Sequence, residues 1–155
     1  MAESPIVGQK NVLTTPQTLT GSFVTLAESG AAAYDTAVFG QVINQVAVAI
    51  SYTGDAGATN PAIQLQVQFG VRGAAQDTPP TAASDWYTEQ AESSFTAGVS
   101  TIVDHVYNRA GTAGTAVNFI VPVPATALWV RVQAKETKDA GNFGVATAKV
   151  FYQYN

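Results

Sequence analysis

His105 is the single histidine of the 155-residue chain, and Asp104 stands directly before it. A hydrolase built on this pair would also need a serine, for which Ser94 and Ser100 are the neighbouring choices. Neighbours in a strand point to opposite faces, so Asp104 cannot orient the His105 ring, and no GxSxG elbow occurs to present a nucleophile. The histidine therefore reads as a strand-surface or interface residue. Glu89 and Glu92, with Asp85 nearby, are the acids a glycosidase would need, but their spacing equally suits solvated carboxylates on a loop. Asp55 in TGDAGATN and Asp139 in KDAGN are of the type that gives oxygen ligands to calcium. With one acid in each loop, an Asx turn is the simpler expectation. GDAG and GTAGT lack the lysine and the following helix of a phosphate loop. The chain has no cysteine, which removes disulfides, thiolate metal sites and thiol nucleophiles together. No catalytic residue, metal or cofactor is expected, and the chain reads as a non-enzyme.

The aromatic residues carry a different chemistry. Trp86, Tyr87 and Trp129, joined by Tyr107 and the terminal FYQY, could grip sugar rings or anchor a protein interface. Trp129 falls on the polar side of its strand, where either role is open to it.

The elements that would position these residues are strands. From Gln17 onward, β-branched and aromatic residues alternate with small polar ones between Gly, Pro, Asn and Asp clusters. Strands are predicted near 18–27, 37–52, 62–72, 85–89, 100–107, 115–123, 127–136 and 144–154, with Gly40 as a bulge or corner. Residues 89–98 suggest one short helical turn, weakened by Ser93, Ser94 and Thr96. About eight short antiparallel strands fit a single all-β domain, an antiparallel β-sandwich of the jelly-roll or Greek-key type, with a closed barrel second. Its core should draw on Phe23, Val46, Val48, Ile50, Ile63, Leu65, Val67, Phe69, Ile102, Phe119, Val121, Leu128, Val130, Val132, Val150 and Tyr152. Residues 1–16 carry Pro5, Gly8 and Pro16 without a sustained period and read as an extended N-terminal arm ahead of the 17–155 sandwich. Ile6, Val7, Val12 and Leu13 give that arm apolar surface with which to dock on a partner; an edge strand or a frayed end is the alternative.

Composition narrows the partners. Hydrophobic residues make up 46% of the chain and charged ones only 12%, so the surface must be built from Gln, Asn, Thr, Ser, Gly and Ala. A net charge of -4 with no basic patch argues against nucleic acid and anionic membranes. The N-terminus lacks the basic and apolar regions of a signal peptide, so the chain is expected to be made and used without export through a standard signal. One strand is unusual: PAIQLQVQFGVRG places Ile63, Leu65, Val67, Phe69 and Val71 on one face and Gln64, Gln66 and Gln68 on the other. Between Thr36 and Val71 the sole charged residue is Asp55, so this surface could be buried against copies of itself with little charge desolvation. Amides still form hydrogen bonds there.

The arm MAESPIVGQKNVLTTP, the cysteine-free Ala/Thr/Val/Gln/Gly-rich body and the closing segment ALWVRVQAKETKDAGNFGVATAKVFYQ together resemble the decoration, or cement, proteins of tailed-bacteriophage heads. That resemblance implies a virion protein on the outer capsid surface, a homotrimer that binds the major capsid protein and bridges its subunits. Gln64, Gln66, Gln68, Trp86, Tyr87 and Trp129 are then the interface candidates. A carbohydrate- or receptor-binding module, or another virion component such as a tail protein, is the alternative.

Overall fold

Two sheets face each other across one core, and the chain alternates between them. The computed structural model describes residues 8–13, 15–29, 43–70, 82–123, 129–137 and 141–154. The first sheet holds β1 (Gly8–Leu13), β2 (Gln17–Thr18), β4 (Ile43–Thr53), β10 (Ala116–Val123) and β12 (Val145–Tyr154). The second holds β3 (Val24–Ser29), β5 (Ala62–Gly70), β6 (Trp86–Thr88), β9 (Tyr107–Ala110) and β11 (Trp129–Glu136). A separate ribbon is formed by β7 (Gln90–Thr96) and β8 (Val99–Asp104).

In the first sheet β12 lies between the β1/β2 edge and β4, and β10 forms the far edge. In the second, β11 lies between β3 and β5, and β6 and β9 share the far edge of β5. All of these strand pairings are antiparallel. Taken with the alternation between sheets, this order is that of the jelly roll, in which two Greek keys wrap a single core. The sandwich expectation holds, and the topology selects the jelly roll within it.

The period-2 pattern explains the core. Val48, Ile50 and Tyr52 of β4 and Ala146 and Ala148 of β12 meet Ile63, Leu65 and Val67 of β5 and Val132 and Ala134 of β11, all buried. Phe69 and Phe119 pack against them half-buried, and Phe23 is also half-buried. Ile102 is a correction: expected in the core, it is 52% exposed on the ribbon. The side chains of Val46, Leu128, Val130, Val150 and Tyr152 lie outside the described residues, as does Gly40. The single strand expected at 18–27 is two, because the chain leaves the first sheet at Thr18 and enters the second at Val24. Along this crossing Leu19 is fully buried, and the Thr20 hydroxyl donates to the Ser22 carbonyl at 2.8 Å. Gly8–Leu13, part of the expected arm, runs as β1 along β12 from Tyr154 to Lys149.

Both sheets are joined at one end by a buried polar pair. The Tyr52 hydroxyl donates to Glu136 Oε2, and Glu136 Oε1 accepts the Ala62 N–H at 2.8 Å. Glu136 follows Val132 and Ala134 on the core side of β11 and is only 4% exposed. The Tyr52 ring lies against Gly111 and Gly144, where an added Cβ would come within 2.3 and 2.7 Å of ring carbons. Tyr52→Phe would leave the Glu136 oxygen short of a donor in a buried site. It is expected to lower unfolding free energy by about 1–3 kcal/mol, read as a lower urea midpoint with the folded far-UV spectrum unchanged.

Candidate functional site

The β7–β8 ribbon leaves and rejoins the sandwich at one point. β6 pairs with Gln68–Gly70 and β9 with Ala62–Leu65, so the two form one interrupted edge strand along β5. The interruption is residues 89–106. At its neck the Glu89 N–H donates to the Val67 carbonyl at 3.2 Å, and the His105 N–H donates to the Glu89 carbonyl at 2.6 Å. Side chains reinforce this closure: His105 Nδ1 lies 3.4 Å from Glu89 Oε2, and the Tyr107 hydroxyl donates to the same oxygen at 3.0 Å. The His105 and Tyr107 rings stack with centroids 4.4 Å apart.

Beyond the neck the ribbon stands free. Ala97 (φ 52°) and Gly98 (φ 81°) make a two-residue turn with both residues left-handed, the arrangement that suits the twist of a two-residue hairpin. This corrects the helical turn expected at 89–98; the missed signal is Ala-Gly flanked by alternating SSFT and VSTIV. Phe95 is 67%, Val99 65%, Ile102 52% and Val103 42% exposed, on both faces of the ribbon.

The glutamine face is engaged within the chain. Gln64 Nε2 donates to Asn108 Oδ1 at 3.0 Å, Gln66 Nε2 to Asp104 Oδ2 at 3.2 Å, and Gln68 Nε2 to Thr88 Oγ1 at 3.0 Å. Each amide thus ties β5 to the edge strand or to the foot of the ribbon, and Gln66 is 7% exposed. Gln68 Oε1 also accepts from Arg131 Nε at 2.6 Å. The Arg131 guanidinium lies 4.3 Å from the Trp86 ring centroid, and Trp86 is 7% exposed. A sugar stacking on Trp86 would have to displace that cation. Tyr87, facing the opposite way from its neighbour, is 58% exposed. Trp129 pairs with Gly70, as Trp86 does from the other side; its side chain lies outside the described residues. Of the arm residues, Val12 and Leu13 are in β1 opposite Val150 and Lys149, while Ile6 and Val7 lie outside the described residues.

The candidate acids are committed locally. Asp104 serves Gln66, Glu89 serves Tyr107 and His105, and Glu92 Oε2 accepts from Ser100 Oγ at 2.5 Å. Asp55 Oδ1 accepts the Gly57 N–H at 2.8 Å, closing an Asx turn. Asp139 lies outside the described residues, among which no cluster of three His, Cys, Asp or Glu side chains is close enough to hold a metal. No helix among the described residues is long and apolar enough to cross a membrane.

No protein-family model and no curated protein matches the chain. Among solved structures it is similar to the infectious bursal disease virus VP2 subviral particle, at 11% identity and a TM-score of 0.25, over 99% of this chain and 43% of that one. A structure of the virus's Gt strain gives 12% identity and a TM-score of 0.23, over 97% of this chain and 42% of the other. The chain spans about two-fifths of the length of these structures. A likeness this weak says nothing of the chain's role.

Burial, the hydrogen bond to Glu89 and that carboxylate's charge together push the Tyr107 phenol above its ordinary range. The neutral phenol's stabilising contribution is therefore full below the unfolded value near 10 and is lost as pH rises through the folded value. In an alkaline titration followed by phenolate absorbance, Glu89→Gln should move one tyrosine partway back toward the ordinary range. Burial accounts for the remainder.

Proposed function

We propose that this chain is a virion structural protein that binds the outer surface of an assembled phage capsid and stabilises it by bridging major capsid protein subunits, without catalytic activity of its own. The observation that carries this reading is the β7–β8 ribbon, a two-stranded projection that gathers four of the seven large apolar side chains exposed among the described residues. Exposed apolar groups gathered on one projection mark a surface meant to be covered. The jelly roll is a fold of viral capsid domains as well as of lectins and cupins, and this support is by fold analogy. With 12% charged residues, the surface can be buried in an assembly at small cost in desolvation.

The mechanism is linkage. A protein that binds only the expanded shell lowers that shell's free energy by mass action, and several weak contacts across subunit seams multiply the effect. Residues 1–7 precede β1 and, in this reading, supply the arm, with Ile6 and Val7 as its apolar contacts.

The test is co-sedimentation of the full chain with unexpanded and expanded heads of the virus that encodes it. Binding to expanded heads alone, raising their disruption temperature, is the expected result; failure to pellet with either form would end the capsid reading. Deleting residues 1–7, which leaves β1 in place, should weaken attachment about tenfold or more, the loss expected when one of several linked contacts is removed. The urea midpoint should not change.

A further inference from the structure

A two-stranded ribbon alone is marginal in water, and this one would gain stability from being covered. The register places Phe95, Ile102, Glu92 and Ser100 on one face and Val99, Thr101 and Val103 on the other. The chain also carries an uncovered apolar hollow, on the outer face of the first sheet. Cross-strand rows there run Ile120–Ala49–Lys149 and Asn118–Ser51–Thr147. Small side chains on the central strand β4 thus lie between larger ones on β10 and β12, and the result is an open depression of about 680 Å³. Ile120 on its wall is 64% exposed.

We propose that the β7–β8 ribbon of one copy of this chain seats in the first-sheet depression of a second copy, joining copies head to tail. Shape and charge both favour a copy as the occupant. The ribbon is a knob with apolar side chains on both faces, and the depression is a hollow floored by Ala49 and Ser51. The ribbon's charged residues are Glu92 and Asp104, both acidic, whereas Lys149 is the one charged residue lining the depression among the described residues. Glu92 shares its face with Phe95 and Ile102, just as Lys149 shares a row with Ile120. An apolar pair flanked by an acid therefore meets an apolar wall flanked by a base. Because knob and hollow are different surfaces of one molecule, the contact is heterologous and closes into a ring if the rotation permits, covering the Phe95 and Ile102 face of the ribbon and leaving the Val99 and Val103 face to the shell.

The experiment is sedimentation equilibrium of the full chain with no capsid present, so it can fail while head binding stands, or succeed while head binding fails. Wild type should self-associate. The ribbon variant Phe95→Ser/Ile102→Ser and the depression variant Ile120→Asp should each be monomeric, with far-UV spectra and thermal midpoints near wild type. Mixed in equal amounts, the two should form a dimer and stop there, because one intact ribbon meets one intact depression. Should either variant misfold, Val99→Ser or Asn118→Arg takes its place. A wild type that stays monomeric to about 100 μM, well above the concentration that populates a micromolar contact, would overturn the proposal. So would association that persists in both variants, or a mixture that yields no dimer.

Discussion

The Tyr52 hydroxyl belongs to one sheet and the Glu136 carboxylate to the other, and their hydrogen bond in the buried interior fixes how the two sheets sit. A carboxylate removed from water is costly unless its oxygens are engaged, and here both are: one by the phenol, the other by the Ala62 N–H at the start of β5. The connections at this end converge on the same place. Gly111 and Gly144 close over the two sides of the ring, the Gly111 N–H donates to the Pro61 carbonyl at 2.8 Å, and the Leu19 N–H donates to the Gly144 carbonyl at 2.9 Å. Sliding either sheet by one residue would turn Tyr52 or Glu136 out of the core and leave its partner unsatisfied. The register of β5 is thereby set, and with it the positions of β6, β9 and the neck that holds the ribbon.

The outer face of the second sheet shows what neutral polar residues do when charge is scarce. An amide donates and accepts at once, so Gln68 can take a guanidinium on one side and give to a threonine on the other. Two cations of this face are set over aromatic rings, Arg131 over Trp86 and Lys135 over Phe23, and Arg109 of β9 lies over Phe119 of the other sheet. These contacts cover aromatic surface with groups whose charge still reaches water. The face carries no rows of ionised side chains among the described residues, and the large exposed apolar groups lie on the ribbon, at Ile120 and Val145 of the opposite sheet, and at Tyr87 on this sheet's edge.

Much of this was legible in the sequence, because burial in a sandwich follows the two-residue period. The alternation in β4, β5, β10 and β11 gave the strands and most of their core residues, and eight strands in one domain gave the class. The same alternation, carried two residues further, puts Tyr52 after Ile50 and Glu136 after Ala134 on the core side; expecting acids at the surface hid the pairing. The ribbon was harder to see. Serine-rich β7 has weak strand character, and its register is carried by a two-residue turn and a partner strand, both visible only once pairing is considered. That the Gln64, Gln66 and Gln68 amides find partners within the chain was not legible, since Asn108, Asp104 and Thr88 are distant in sequence and arrive through the folding back of the edge strand.

Because β6 and β9 lie end to end along β5, and the Glu89 and His105 backbones meet at the gap, the jelly roll's edge is complete whether or not anything is threaded between them. The ribbon occupies a socket rather than a structural position. Its length, apolar content and turn can change while the sandwich beneath keeps its packing. A designer could therefore graft a peptide of choice at the same two anchor points by exchanging some fifteen residues.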